Sequence, residues 1–152
     1  MRLFFDTSAF LKRYVDDPGS GRVVELMSFA VGVGSSALVL PESVSTLRRL
    51  VRENGLAEDA YCCLKEAILT DLANADICDL TPTVMEHSIR SLEHSTLRAL
   101  DAVHVGSPCV YRPDLFITAD ARQAGAAERE GLPVEDPSRG LNVGCQSCSH
   151  ED

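Results

Sequence analysis

The sequence predicts an α/β protein in which a parallel sheet is covered by helices on both faces. Short apolar segments alternate along the chain with longer segments of helical periodicity, which is the order of strand–helix–strand units. The first candidate strand, residues 3–5, is apolar throughout, as expected of a strand buried on both faces. With 152 residues, 45% of them hydrophobic, the chain is long enough for one domain with its own core.

The first predicted strand is followed directly by an acid, Asp6. Thr7 or Ser8 is expected to cap a helix over residues 9–14, because a hydroxyl can accept a hydrogen bond from the free amides of a first helical turn. The chain therefore enters its first helix immediately after the strand.

Strands and helices continue to alternate as far as residue 137. Pro41 suits the first turn of a helix, which places Glu42 in the same turn, and Asn54 with Gly55 ends that helix. The other predicted elements are, in order, a helix at about 21–29, a strand at 31–38, a helix at 56–75, a strand at 77–80, a helix from Thr81 or Pro82 to about 92, a helix capped by Ser95 or Thr96, a strand at 115–118, a helix at about 121–130 and a weak strand at 132–134.

The composition divides the chain into a domain, residues 1–137, and a tail, residues 138–152. The tail is rich in Gly, Ser and Cys and poor in other apolar residues, so it is expected to be flexible. Its Cys145, Cys148 and His150 have a spacing found in parts of zinc sites. Structural zinc takes four ligands and no fourth is evident nearby, so free thiols are the favoured interpretation.

Charge and cysteine content narrow the class of protein. A net charge of -9 argues against a passive nucleic-acid binder, which normally presents a basic surface. Either the substrate is not a nucleic acid, or a cation mediates the contact with phosphate.

No apolar run approaches the roughly 18 residues of a membrane span, and no signal peptide is evident. We therefore expect a cytoplasmic protein with no membrane partner and with reduced thiols. Four of these cysteines, Cys62, Cys63, Cys78 and Cys109, are expected to be buried.

Four acids occupy positions that a parallel sheet would bring together. Asp6 follows the first strand, Glu42 begins the helix after the second, Asp101 lies early in a helix, and Asp120 follows the fourth strand by two residues. The carboxyl ends of parallel strands meet at one edge of the sheet. Converging carboxylates repel one another unless a cation intervenes, and oxygen ligands suit Mg²⁺ or Mn²⁺.

Taken singly, each acid has an ordinary alternative as a turn former, a helix cap or a solvated charge. Their combination favours a metal site that activates water for attack on a phosphodiester. Such a site also explains how an acidic protein could act on a polyanion, because the cation supplies the positive charge.

The residues around the four acids resemble those of a known family. Residues 5–20 are similar to the opening of PIN-domain ribonucleases and, more narrowly, of the VapC-type toxins of bacterial and archaeal toxin–antitoxin pairs. Residues 41–49 resemble the second acidic block of that family, residues 97–104 the third, and residues 117–120 the fourth. The resemblance covers about residues 1–137, and the four blocks occur in the family's order.

This resemblance implies a Rossmann-like three-layer α/β/α PIN domain with a five-stranded parallel sheet. It implies a Mg²⁺-dependent endoribonuclease, with Mn²⁺ as a substitute, that acts on RNA, is blocked by a cognate antitoxin and forms a homodimer. The residues it assigns are the catalytic acids Asp6, Glu42, Asp101 and Asp120, of which Asp6, Asp101 and Asp120 hold the metal and Glu42 is a ligand or a water-orienting base, and the accessory hydroxyls of Ser8 and Thr118.

Other polar residues near these motifs have two interpretations. Lys12, Arg13, Arg48 and Arg49 would contact RNA phosphates or an antitoxin, or they are simply solvated. His104 follows Asp101 by one helical turn and could assist proton transfer. A packed or hydrogen-bonded histidine is favoured, because a metal-activated water needs no histidine base.

Two rival functions follow from the same residues. A phosphotransferase would use Asp6 as a covalent nucleophile, but haloacid dehalogenases have a second Asp two residues on, where this chain has Ser8. A non-catalytic module would keep the PIN-like fold only to bind a partner protein, and the presence of all four acids argues against it. The sequence leaves open which RNA is cleaved and which antitoxin is bound.

Overall fold

A computed structural model describes residues 1–139 of the chain, and in it five strands form one sheet. The strands are β1 Arg2–Phe5, β2 Gly32–Ser36, β3 Asp76–Cys78, β4 Leu115–Ile117 and β5 Val134–Glu135. Their order across the sheet is β3-β2-β1-β4-β5, and every pairing is parallel. The predicted α/β class and five-stranded parallel sheet are therefore confirmed.

Helices connect the strands within these residues. They are α1 Thr7–Leu11, α2 Ser20–Phe29, α3 Val39–Arg52, α4 Glu58–Leu72, α5 Pro82–His94, α6 Ala99–Tyr111 and α7 Ala121–Arg129. Thr81 caps α5 by accepting a hydrogen bond from the amide of Val84. The sequence had predicted a start at Thr81 or Pro82. None of these seven helices is both long enough and apolar enough to cross a bilayer.

Two predicted helix starts were wrong, and acidic side chains explain both. Helix α1 begins at Thr7 because its cap is Asp6, whose carboxylate accepts a hydrogen bond from the Ala9 amide at 2.8 Å. Helix α6 is capped at Arg98 rather than at Ser95 or Thr96, because Asp101 Oδ2 accepts from the Arg98 amide at 3.3 Å. At α1 a carboxylate takes the capping role that was assigned to a hydroxyl, whereas at α6 Asp101 accepts from the amide of the cap residue itself.

The sheet separates two apolar clusters, as the alternation of side chains along a strand requires. Leu3 and Phe5 belong to the cluster beneath α1, α2, α3 and α4, whereas Phe4 belongs to the cluster beneath α6 and α7. Helix α5 packs on the outside of α6, where Gly106 permits a close approach. A Cβ added at Gly106 would lie 2.4 Å from Ser88 Oγ and 2.7 Å from the carbonyl oxygen of Val84.

The strand order reverses direction between β1 and β4. From β1 the chain moves outward through β2 to β3, and it then returns to β4 on the other side of β1. In parallel α/β sheets a crevice opens at such a switch point, outside the carboxyl ends of the strands. The residues that follow β1 and β4 are therefore placed at the mouth of one crevice.

Some predictions concern cysteines and the tail. Cys62 and Cys63 are exposed on α4, so the expectation that they are buried was wrong, and Cys78 and Cys109 are only partly buried. These four are free thiols. The predicted zinc-like group of Cys145, Cys148 and His150, like the tail from residue 140 on, lies outside the described residues.

Candidate active site

A cleft of about 690 Å³ opens at the carboxyl ends of β1 and β4, and the four predicted acids all line it. Asp6, Glu42, Asp101 and Asp120 reach it from four separate parts of the chain. Three basic residues line the same cleft, namely Lys12, Arg49 and Arg98. The cleft is therefore lined by four carboxylates and three basic side chains.

Asp6 is the most buried of the acids, with a residue exposure of 1%. Its amide donates to the carbonyl of Ile117 at 3.1 Å, which ties the end of β1 to β4. Its Oδ1 accepts hydrogen bonds from the Ala9 amide at 2.8 Å and from Ser8 Oγ at 2.9 Å. Burial raises the pKa of this carboxyl, and the bonds from Ala9 and Ser8 and the charge of His104 only partly oppose that effect.

The two accessory hydroxyls predicted from the sequence both contact Asp6. Ser8 Oγ lies 2.7 Å from Asp6 Oδ2 and accepts from the amide of Ala119 at 3.1 Å. Thr118 Oγ1 donates to Asp6 Oδ2 at 2.9 Å and accepts from the amide of Asp120 at 3.1 Å. These hydroxyls join the start of α1 to the segment between β4 and α7, so the positions of Asp6 and Asp120 are coupled.

Glu42 is held by a different set of partners on α1 and α6. Its Oε2 accepts from Thr7 Oγ1 at 2.5 Å and lies 2.6 Å from His104 Nε2. Partial burial alone would raise the pKa of Glu42, but the hydrogen bond and charge of His104, with the Thr7 hydroxyl, lower it below its usual value. Glu42 is therefore an ionised acceptor at neutral pH.

Asp101 and Asp120 are bridged by a residue that the sequence did not indicate, Gln123. Its Nε2 donates to Asp101 Oδ1 at 3.2 Å, and its backbone amide donates to Asp120 Oδ1 at 3.1 Å. Asp120 also accepts from the amide of Arg122 at 2.8 Å and so caps helix α7. The protein thus holds Oδ1 of Asp120, and it holds both oxygens of Asp101, because Oδ2 accepts from the Arg98 amide.

The four basic residues singled out in the sequence divide into two pairs. Lys12 and Arg49 line the cleft, and Lys12 forms an ion pair with Asp17. Arg13 instead binds Asp71 at 2.7 Å in a separate depression beside α2 and α4. Arg48 binds Glu58 at 2.6 Å, also away from the cleft.

Thr7 and Gln123 were missed as neighbours of the acids, whereas His104 is packed and hydrogen-bonded, as the favoured interpretation had it. His104, expected to be packed or hydrogen-bonded, is buried with an exposure of 1% and has one of the cleft acids as its partner. Thr7 was considered only as a cap, and Gln123 was not considered at all. His104 and Gln123 each follow one of the acids by three residues within a helix, and this spacing could have indicated them. The contact of Thr7 with Glu42 depends on the tertiary fold and leaves no such signal.

The donor set of the cleft fits a hard divalent cation. Asp6, Asp101 and Asp120 offer carboxylate oxygens, with no thiol or imidazole among these three, and oxygen donors are those preferred by Mg²⁺ and Mn²⁺. The raised pKa of buried Asp6 also supports a cation site, because the hydrogen-bond partners of this carboxyl are neutral donors. A nearby cation would favour its ionised form.

Comparison with known proteins gives relatives by sequence. The chain is similar to Ribonuclease VapC45 and Ribonuclease VapC49, both from Mycobacterium tuberculosis. Each is 30% identical over 134 residues, which is 87% of this chain and 93% of the relative. No family model matches the chain.

Solved structures share the fold at lower identity. VapC20 from Mycobacterium tuberculosis, a toxin that cleaves the sarcin–ricin loop, has a TM-score of 0.61 at 19% identity, covering 82% of this chain and 94% of that one. FitAcB from Neisseria gonorrhoeae has a TM-score of 0.66 at 16% identity, covering 89% and 97%. VapBC-1 from nontypeable Haemophilus influenzae has a TM-score of 0.63 at 13% identity, covering 91% and 100%.

Proposed function

The chain belongs to the VapC family of ribonucleases, and from this membership we propose that it is a divalent-metal-dependent endoribonuclease that hydrolyses RNA phosphodiester bonds in the cleft. The observation that carries the proposal is the assembly of Asp6, Glu42, Asp101 and Asp120 on one cleft. Mg²⁺ is the proposed cation, with Mn²⁺ as a substitute.

Asp6, Asp101 and Asp120 would hold the cation. Each has at least one oxygen fixed by a hydrogen bond from the protein, so the carboxylates are oriented before any ligand arrives. When bound, the cation would supply positive charge for the phosphate and lower the pKa of a coordinated water. Mg²⁺ commonly keeps several of its waters, so these carboxylates need not all touch it directly.

Glu42 is proposed as the acceptor of the proton from the attacking water. Its pKa is lowered by His104 and Thr7 despite partial burial, so it is ionised at neutral pH. His104 Nε2 and Thr7 Oγ1 both contact Oε2, which leaves Oε1 as the oxygen available to the cleft. His104 is then a positioning residue that sets the charge and orientation of Glu42.

Basic residues that line the cleft are proposed to bind the RNA backbone. Arg49 retains its predicted role as a phosphate contact, and Arg98 joins it because both are exposed and line the cleft. Lys12 lines the cleft too, but it is only 7% exposed and is paired with Asp17. Arg13 and Arg48 lie outside the cleft in ion pairs, so contact with a protein partner is the role proposed for them. The protein's charge of -9 makes these local cations important for the approach of a polyanion.

We also propose that the chain is the toxin of a toxin–antitoxin pair, acts in the cytoplasm and forms a homodimer. Family membership supports this role, as does the similarity of its fold to structures such as the Haemophilus influenzae VapBC-1 complex. Expression of the chain alone should then stop bacterial growth, whereas an Asp6→Asn chain should not. Equal growth with both chains would contradict the toxin role.

The rival phosphotransferase is disfavoured by the surroundings of Asp6. A nucleophilic carboxylate must present a free oxygen to the phosphorus atom, but both oxygens of Asp6 accept hydrogen bonds. Its residue exposure of 1% leaves little room for in-line attack. Coordination of a metal ion needs only one lone pair on an Asp6 oxygen that the protein does not already engage. It does not need a carboxylate that can move in line with a phosphorus atom.

The decisive experiment is cleavage of total RNA by the full chain. Activity should require Mg²⁺ or Mn²⁺, disappear in EDTA and fall at least a hundredfold in Asp6→Asn, since even residues that only orient metal ligands contribute about 10–100-fold. Asp59→Asn, at an exposed acid of α4, is the matched control and should keep full activity. Undiminished cleavage by Asp6→Asn, or in EDTA, would overturn the proposal.

A further inference from the structure

A second group of ligand-bearing side chains lies far from the cleft, where three helices meet. It consists of His87 on α5, Cys109 on α6 and Glu130 at the end of α7. One ligand atom from each lies within 4.8 Å of the others. Cys109 follows Asp101 by eight residues, which is about 12 Å along the helix axis, so this group is separate from the acids of the cleft.

His87 supplies an independent sign that the group lacks a partner. Its Nδ1 is buried and has no hydrogen-bond partner among residues 1–139. Buried polar atoms are nearly always paired, and leaving one unpaired destabilises the fold. A metal ion bound to His87 would accept the unshared electron pair of a ring nitrogen.

Cys109 and Glu130 also have only weak electrostatic partners in the structure. Burial, followed by the negative charge of Glu130, raises the pKa of the Cys109 thiol to about 11. The Glu130 side chain is 13% exposed, and its cation is the exposed Arg90, 3.7 Å away. A divalent cation would take the place of the thiol proton, since metals bind thiolate rather than thiol.

We propose that His87, Cys109 and Glu130 form a binding site for Zn²⁺, with water as the fourth ligand. Imidazole, thiolate and carboxylate are the donors that Zn²⁺ accepts in tetrahedral geometry, whereas a thiolate is a poor ligand for Mg²⁺. Ligand atoms of such a site are about 3.5 Å apart, given metal–ligand distances of about 2.0–2.3 Å. Small rotations of the three side chains are therefore enough to close the site.

Three protein ligands and a water form an open zinc site, unlike the closed four-ligand structural sites, and the bound zinc would link α5, α6 and the end of α7 on one face of the sheet. Its chemistry differs from that of the cleft, so the two sites can be tested separately. Cobalt is a suitable probe, because Co²⁺ takes tetrahedral zinc sites and gives an intense near-ultraviolet band when it is bound by thiolate.

The test is a Co²⁺ titration of the reduced full chain, followed by competition with Zn²⁺. The wild type should show a thiolate-to-cobalt band at one equivalent, and Zn²⁺ should remove it. Cys109→Ser should lose the band, and Glu130→Gln should weaken Co²⁺ binding at least tenfold. Cys62→Ser, at an exposed cysteine of α4, is the matched control and should behave as the wild type.

Two further variants distinguish this site from other metal-binding parts of the chain. The double variant Cys145→Ser, Cys148→Ser should keep the band, and so should Asp6→Asn. His87→Gln, a polar replacement at a partly buried position, should weaken Co²⁺ binding as well, which tests the site independently if Glu130→Gln disturbs the fold. A band that follows Cys145 and Cys148 rather than Cys109, or the absence of a thiolate band in the wild type, would overturn the proposal.

Discussion

Asp6 and Glu42 face one cleft, but the protein surrounds them differently. On the Asp6 side, comprising Asp6, Ser8 and Thr118, the direct partners are a backbone amide and two neutral hydroxyls, and burial raises the pKa of the acid. On the Glu42 side, comprising Glu42, Thr7 and His104, an imidazole is added and the pKa falls despite burial. The comparison shows that a neighbouring imidazole favours the ionised form of Glu42, whereas the direct hydrogen-bond partners of Asp6 are all neutral.

The largest expected effect is on catalysis from the Glu42 side. Glu42→Gln keeps the shape of the side chain but removes the proton acceptor, so the cleavage rate should fall by about 100-fold or more, the usual contribution of general base catalysis. Steady-state rates with saturating Mg²⁺ measure it. Glu66→Gln, an exposed acid on α4, is the control, and an unchanged rate in Glu42→Gln would show that Glu42 is not the base.

The Asp6 side should respond to the loss of a neutral donor. Thr118→Val preserves shape but leaves Asp6 Oδ2 without one donor and the Asp120 amide without its acceptor. Destabilisation of about 1–3 kcal/mol is expected, the cost of unpaired buried polar groups, and urea unfolding measures it. Thr83→Val, at an exposed threonine of α5, should be close to neutral. Equal stability of the two variants would contradict the coupling through Thr118.

The role of His104 can be tested through pH. His104→Gln retains a donor for Glu42 without the charge, so the pKa of Glu42 should rise and the acidic limb of the cleavage profile should move to higher pH. Activity at neutral pH should fall about tenfold, the scale of an orienting partner. The exposed His94→Gln is the control, and a profile that falls in height without moving would indicate a purely structural role.

The same substitution should change acid stability with a defined sign. Because the folded pKa of Glu42 lies below its unfolded value of 4.5, ionised Glu42 stabilises the fold above that pH, and the contribution is lost as the pH falls through the folded pKa. His104→Gln should lose this contribution. Unfolding at pH 7 and at pH 3 would show a smaller difference between the two pH values in the variant than in the wild type.

The smallest expected effect is a gain in stability. The pKa of Asp6 is raised above its unfolded value of 3.8, so its contribution to stability is present below that value and is lost as the pH rises through the folded pKa. In EDTA at pH 7, Asp6→Asn should therefore be more stable than the wild type by about 1 kcal/mol, a typical gain at a strained functional site. Added Mg²⁺ should stabilise the wild type alone, and a variant less stable than the wild type would contradict this.

The sequence predicted the parallel sheet and the region of the cleft because both depend on local signals. An acid at the end of a buried strand, as at Asp6, can be recognised without knowing its neighbours. The contact of Glu42 with His104 joins residues 62 positions apart, and it depends on how α3 and α6 are placed against the sheet. The cap of α1 was missed for a related reason, because a hydroxyl and a carboxylate are both good acceptors and only the backbone path decides between them.

The use of Asp6 as the cap of α1 has a consequence for reading related sequences. An oxygen acceptor is needed at this position to begin the helix, whether or not RNA is cleaved, and Asn meets that need as well as Asp. A descendant that had lost its activity would therefore still be selected for Asp or Asn here. Glu42 has no capping duty, so its replacement in a relative would be the earlier sign that catalysis had been abandoned.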